Sequence, residues 1–494
     1  MRRIGHLIGG EPRASFARTS PVFNPATGEQ TAEVALASVD EVGEVVAVAE
    51  KAFQSWRNTS LGKRATVMFR FRALLDEHRD EVASAITAEH GKVLSDAAGE
   101  VDRGLECVEF ACGIPHLLKG GHSAQASTGV DVHEIKQPLG VVAGITPFNF
   151  PAMVPLWMVP NAIACGNACI RKPSEKDPSA SLVIADLLRR AGLPDGVLNV
   201  VHGDAEAVNA ILDHPGIAAV SFVGSTPVAR HVYERGTAAG KRVQALGGAK
   251  NHMVVLPDAN LDMAADAAVS AGYGSAGERC MAVSVVVAVG DVGDDLVAAI
   301  EKRLSTLRIG PGTDPSSDMG PLVTEAHRDK VASYLDIARD EGADVVVDGR
   351  REEFSGNGFF LGVSLVDRVR PEMTVYRDEI FGPVLSVVRV DTAQEALDLV
   401  NASRYGNGVA IFTRDGGAVR EFEQEVQVGM VGVNVPIPVP VSYYSFGGWK
   451  DSLFGDSHMY GPEGVHFYTR TKVVTSRWPD PATSQVDLGF PTNS

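Results

Sequence analysis

The chain has 494 residues, too many for one hydrophobic core, so two or three domains are expected. Apolar residues make up 45% and charged residues 22%, an ordinary globular composition, and 45 basic against 62 acidic side chains leave a formal charge of −17. That acidity excludes a broad nucleic-acid or anionic-membrane surface, which needs a basic footprint, and leaves only local basic pockets for small anions.

Met1-Arg2-Arg3-Ile4 does not open the apolar stretch of about 7–15 residues that marks a secretory signal. From about residue 40 to 112 the pattern is mainly helical, with Val46, Ala49, Phe53 and Trp56 at helical spacing. No charged residue occurs between Lys136 and Arg171, but Pro138, Pro147, Pro151, Pro155 and Pro160 argue against a membrane span. The run reads instead as buried strand, loop and helix. A strand-helix alternation follows, with strands at Leu139–Ile145, Ala168–Lys172, Val197–Val201 and Ala219–Val223. Helices at Ala152–Ala164, Ser179–Ala191, Ala205–Leu212 and Val228–Ala239 separate them. This spacing predicts a doubly wound α/β domain that binds ligands at the carboxyl ends of its strands.

A second α/β region begins near residue 250, with strands at Ser284–Val289, Val384–Val390 and Val409–Thr413 and a helix at Ala393–Asn401. Val465–Val474 alternates and is rich in Phe, Tyr, Thr and Val, and reads as a late strand. The tail from Pro479 is rich in Pro, Thr and Ser and is expected to be loosely ordered. Five cysteines (Cys107, Cys112, Cys165, Cys169 and Cys280), an odd number with no extracellular marker, suggest reduced thiols in a cytoplasm. Cys165 and Cys169 have no His or second pair nearby, so they read as packing residues, and no metal constellation is expected.

Several short segments carry chemistry. Pro147-Phe148-Asn149-Phe150-Pro151 follows a strand, where an Asn amide could donate to a developing oxyanion; turn capping is the commoner use of such an Asn. Lys172-Pro173-Ser174-Glu175 also follows a strand and could hydrogen-bond ribose hydroxyls, or be a charged loop. Gly224-Ser225-Thr226 opens a helix whose amides could hold a pyrophosphate, and Ser or Thr there also serves as a cap. Gly272-Tyr273-Gly274-Ser275-Ala276-Gly277 matches a dinucleotide fingerprint literally, but it follows an Ala-rich helical segment and fails the required context. Its glycines are better explained by close backbone packing beneath Cys280. Cys280 itself, preceded by small residues and adjacent to Arg279, is expected to be an accessible, electropositive thiol. Glu379-Ile380-Phe381-Gly382-Pro383 adds a carboxylate beside an aromatic in a tight turn.

Taken in order, from Asn24-Pro25-Ala26-Thr27-Gly28 to Phe446-Gly447-Gly448, these segments resemble the aldehyde dehydrogenase superfamily over nearly the whole chain. Gly277-Glu278-Arg279-Cys280-Met281-Ala282, Gly248-Ala249-Lys250-Asn251-His252 and Asn434-Val435-Pro436-Ile437-Pro438-Val439-Pro440 are similar to its CoA-acylating methylmalonate-semialdehyde dehydrogenases. The resemblance implies an α/β fold with a Rossmann-type NAD domain (1–119 and 139–250), a catalytic domain (251–440) and oligomerisation strands (120–138 and 465–478). It implies Cys280 as nucleophile, and an oxyanion hole from the Asn149 amide and the Cys280 backbone N–H. Lys172, Glu175 and Glu379 would hold the cofactor riboses, with Thr146, Phe148, Lys176 and Ser225 lining the NAD cleft. Arg279 would bind a substrate carboxylate together with Arg103, which could equally be a surface helix charge paired with Asp102 or Glu106. A homodimer or homotetramer is expected.

Hydrolytic relatives carry Glu at the position aligned with Leu246, or with its neighbour Ala245, and neither residue here can take a proton. Water needs a positioned base to attack a thioester, whereas a thiol ionises readily and attacks as thiolate. The reading is therefore NAD-dependent oxidation of a short carboxylated semialdehyde (malonate or methylmalonate semialdehyde), with CoA as acyl acceptor and loss of CO2. A hydrolytic semialdehyde dehydrogenase and a non-catalytic NAD-binding relative are the alternatives. Glu278 departs from the usual Gln of these relatives, and is expected to point away from Cys280 or pair locally.

Overall fold

The computed structural model describes residues 1–478 together with 482, 486, 488 and 489. Most of the tail from 479 lies outside the described residues. The alternating segments after residue 139 supply five parallel strands of an eight-stranded sheet. Its parallel strands are Val141–Ile145, Ala168–Lys172, Leu198–Val200, Ile217–Val223 and Arg242–Leu246. In space they run third, second, first, fourth, fifth, so Val141–Ile145 and Ile217–Val223 are neighbours although the chain leaves them toward opposite edges. A crevice opens at the carboxyl ends of such a pair. Helices cover both faces of these strands, which explains their near-continuous Val, Ile and Ala. His6–Ile8 with Glu11–Arg13 beside it, and Leu453–Phe454 from the other end of the chain, add three antiparallel strands.

The second sheet has seven strands, built around Asn251–Val255 and Val283–Val289, with Ser364–Asp367, Val384–Val390, Gly408–Phe412 and Met430–Val433 also parallel. The loops entering Val283–Val289 and Val384–Val390 meet the crevice of the first sheet, and this meeting creates the site.

One expected element is corrected. Val465–Val474 is not a single strand: Gly461–Phe467 is a helix, and the strand is Thr469–Arg477. Pro462 sits in the first helical turn, where its missing N–H is harmless, and Val465 and Phe467 are buried in the core that also holds Leu156 and Ile163. Thr469–Arg477 then pairs antiparallel with Val130–Pro138, which pairs with His122–Ser127. The short N-terminal strands Arg2–Ile4, Glu11–Arg13, Thr19–Asn24 and Glu29–Ala35 had no counterpart in the sequence reading. The charge-free run after Lys136 is strand, loop, helix and strand. Among the described residues no helix is long and apolar enough to cross a membrane, and no group of three His, Cys, Asp or Glu could hold a metal ion.

Candidate active site

Cys280 stands at the end of a turn that an ordinary sequence would resist. Ser275, Ala276 and Gly277 take φ of 53°, 52° and 74°, a left-handed stretch costly for the two non-glycine residues. At Gly277 a Cβ would lie 2.3 Å from the Gly382 carbonyl oxygen, so the close backbone approach requires glycine. The Cys280 carbonyl accepts from Asn251 Nδ2 (2.9 Å) and Asn407 Nδ2 (3.1 Å), which fixes the loop to the second sheet. The backbone N–H groups of Cys280 and Met281 face the sulfur.

Asn149 is held from beneath. Its carbonyl accepts from Lys92 Nζ at 2.7 Å, and Lys92 pairs with Glu100 at 2.8 Å, both side chains fully buried. Glu100 in turn accepts from the Ala152 and Met153 N–H groups, capping the start of Met153–Ala164. Asn149 Nδ2 donates to the Glu278 carbonyl (3.0 Å), which places the amide beside the cysteine loop; its second N–H remains a donor. Neither Lys92 nor Glu100 was singled out from sequence.

The expectation of an electropositive thiol is corrected. Burial pushes the Cys280 thiol up to about 12, and Glu379 adds to the rise while Arg279 opposes it only weakly. Arg279 spends its charge on Asp96, with Nη2 2.5 Å from Oδ1. Glu379 lies along the same cavity wall as Cys280 and accepts from the Ala249 N–H at 2.9 Å. Burial raises its carboxyl to about 7.

Glu278 lines neither of the cavities beside Cys280, and its two carboxyl oxygens make no hydrogen bond of good geometry. Its side chain is fully buried, with oxygens 3.6 Å from His327 Nε2 and 3.9 Å from His90 Nε2. Burial pushes its carboxyl up to about 8. His90 stacks on Phe148, and Phe148 meets Phe381 edge-on.

The remaining cofactor candidates gather at the crevice. Thr146 donates its backbone N–H to the Lys172 carbonyl (3.1 Å), and its hydroxyl is buried without a partner. Lys172 donates to the Gly203 carbonyl at 2.7 Å and lies 3.5 Å from Glu175; burial lowers its pKa. Lys176 lies 4.6 Å over the Phe148 ring. Ser225 is exposed at the start of Thr226–Ala238 and makes no side-chain cap. An unpartnered hydroxyl, an uncapped helix start and a lysine beside a carboxylate fit a dinucleotide's riboses and phosphates.

On the other side of Cys280 opens a cavity of about 410 Å³. Arg103, Arg279 and Asp96 give it charge, while Trp157 and Phe446, with ring centroids 4.8 Å apart, give it an aromatic wall. Arg103 pairs with Glu106 (2.7 Å) and donates to the Pro440 carbonyl (3.0 Å), so it is both a pocket residue and a helix-surface pair. Asp102 pairs instead with Arg79. Ile437 and Val439, from the Val/Ile-Pro run, complete the wall. Leu246 is 3% exposed and packs in one apolar cluster with Cys280.

Residues 13–474 match the aldehyde dehydrogenase family model. The chain belongs to the aldehyde dehydrogenase family. It is 57% identical to the malonate-semialdehyde dehydrogenase of Pseudomonas aeruginosa, with all of both chains covered. The crystal structure of methylmalonate-semialdehyde dehydrogenase from Oceanimonas doudoroffii superposes with a TM-score of 0.96 at 56% identity, over 98% of this chain and 99% of that one. A protein of Sinorhizobium meliloti, assigned as a methylmalonate-semialdehyde dehydrogenase and solved with NAD, gives 0.97 at 52% identity over 98% and 99%. The protein is thus an oxidoreductase of this family, with its fold.

Proposed function

We propose that this enzyme oxidises malonate or methylmalonate semialdehyde with NAD through a Cys280 thioester and passes the acyl group to coenzyme A with loss of CO2. The names of its relatives support the substrate class. The observation that carries the acceptor is Leu246: of the two positions that could match the water-activating carboxylate, Leu246 is a buried alkyl side chain in the cluster that holds Cys280, whereas Ala245 packs in a different cluster.

In this reading the Arg279 and Arg103 guanidinium groups bind the substrate carboxylate and direct its aldehyde at Sγ. Cys280 gives its proton to solvent water as its sulfur attacks, and the alkoxide that forms is stabilised by the Asn149 amide and the Cys280 N–H. Lys172, Glu175 and Glu379 hold ribose hydroxyls, and Thr146, Phe148, Lys176 and Ser225 line the rest of the cleft. NAD, when bound, supplies the hydride acceptor. Engaging Glu379 with hydroxyl donors also draws its charge from the thiol, relieving part of the rise that disfavours thiolate. The carboxylate leaves as CO2 by giving its C–C bonding electrons to the carbon beside the thioester carbonyl, which then takes a proton. The thiolate of CoA displaces Cys280, giving acetyl-CoA or propionyl-CoA. The outer edge of Thr469–Arg477, with its neighbours 120–138, is the edge through which a homodimer or homotetramer would form.

Glu379 favours a second reading. A carboxylate with a pKa raised to about 7, in the same cavity as Cys280, could serve as base for a water molecule. The test is acyl-product identification by mass spectrometry, with NADH followed on adding malonate semialdehyde with and without CoA. NADH release that depends on CoA and yields acetyl-CoA supports the proposal. Equal turnover without CoA, yielding free acid, overturns it in favour of hydrolysis.

A further inference from the structure

Arg279 is gripped from two sides. Its Nη2 lies 2.5 Å from Asp96 Oδ1, and the two side chains are only 22% and 18% exposed. Behind it lies Gly274, where an added Cβ would come within 2.5, 2.8 and 3.0 Å of Nη1, Cζ and Nη2. Gly274 has φ of −54°, a conformation open to any residue, so its lack of a side chain serves the guanidinium and not the turn. Asp96 belongs to the first turn of Leu94–Cys112, where a negative charge is favoured and the backbone is rigid. Its other oxygen, Oδ2, is buried without a partner, so the carboxylate is aimed at Arg279 alone. Asp96, Arg279 and Cys280 all line the 410 Å³ cavity.

We propose that Asp96 is a positioning residue that sets the preference for carboxylated aldehydes, by pinning the Arg279 guanidinium against Gly274 at a fixed place relative to Cys280. The inference rests on the reading of the substrate as a carboxylated aldehyde. An arginine fork has five N–H donors, and Asp96 engages only the Nη2 end, leaving donors for a substrate carboxylate. An unpinned arginine keeps several rotatable bonds, and ordering it would be charged against each binding event. An uncharged aldehyde of similar size makes no use of the guanidinium and does not bear that cost.

The test compares kcat/KM for malonate semialdehyde with kcat/KM for propanal in the full-length enzyme, for wild type, Asp96→Ala, Asp96→Asn and Gly274→Ala. The ratio should fall about tenfold or more in Asp96→Ala, mainly through KM for the semialdehyde. Gly274→Ala displaces the flexible end of a side chain and not backbone, so it should fold and lower the ratio similarly. Asp96→Asn keeps an acceptor oxygen and should fall between. A ratio in Asp96→Ala or Gly274→Ala within about twofold of wild type overturns the proposal, as does a parallel loss on both substrates. A wild-type enzyme with no preference for the semialdehyde over propanal would instead overturn the substrate reading itself.

Discussion

Replacing Glu278 by Gln should stabilise this enzyme, and increasingly so as the pH rises. The Glu278 side chain is fully buried, with its oxygens 3.6 and 3.9 Å from His327 and His90 and the Val323 N–H also directed at the carboxyl. Burial depresses the pKa of both rings, so neither supplies a cation near neutral pH; the Val323 N–H, then Lys176 and Lys92, offset the burial only in part. The carboxyl therefore holds its proton to about pH 8 in the folded state, against an ordinary value of 4.5 in the unfolded chain. Below about 4.5 both states are protonated and the contribution is fully present. Between there and about 8 the folded state binds the extra proton, so stability falls by about 1.4 kcal/mol per pH unit, a total on the order of 3–5 kcal/mol. Gln does not titrate and escapes this loss. At roughly 2.1 cal/mol/K per residue, unfolding a chain of this length carries an entropy of about 1 kcal/mol/K, so 1 kcal/mol moves Tm by about 1 °C. The Tm of Glu278→Gln minus that of wild type, by scanning fluorimetry from pH 5 to 9, should widen by about 3–5 °C and level off above pH 8. His90 and His327 act in the opposite sense, losing their contribution as pH falls below 6.5, but they are present in both proteins and cancel. A gap that is flat or narrows with pH would refute the assignment of a neutral, buried carboxyl.

Asn149→Ala should lower kcat by roughly 10²–10³ in steady-state NADH formation, with Tm little changed, if its amide stabilises the oxyanion. Lys92→Ala strips Glu100 of its buried ion-pair partner, leaving it the Ala152 and Met153 N–H groups, and should cost roughly 3–5 kcal/mol in stability. The double variant Lys92→Met, Glu100→Gln should recover much of that Tm loss while still lowering kcat, because the Asn149 carbonyl has lost its donor. Leu246→Glu places a carboxylate in the cluster that holds Cys280, and should raise CoA-independent acid release about tenfold or more, read by mass spectrometry of the products.

Four of the first sheet's five parallel strands were legible because they are buried on both faces and alternate with helices, so both periods show in the sequence; Arg242–Leu246 was not expected. Ala168–Lys172 and Val384–Val390 have the boundaries expected of them, and the others shift by one or two residues. The N-terminal strands were not legible: Glu11–Arg13 is three exposed residues with no apolar face to signal it. Val465–Val474 misled because Val, Phe, Tyr and Thr favour strands on average, whereas Gly461-Pro462 starts a helix whose apolar side the core accepts.

For the site, residue identity was readable and electrostatics was not. Arg279 adjoins Cys280 in sequence, which suggested a cationic thiol, yet its charge is committed to Asp96, 183 positions away. Glu379, about a hundred residues downstream, reaches the same cavity and raises the thiol instead. The Lys92–Glu100 pair supports Asn149 from 57 positions away, through a backbone carbonyl that no motif records. A short motif specifies which group is offered to the pocket, because the local turn and its glycines are encoded locally. Its protonation state depends on whatever the fold brings within a few ångströms, and in a buried site that contribution is large enough to reverse the effect of the sequence neighbour.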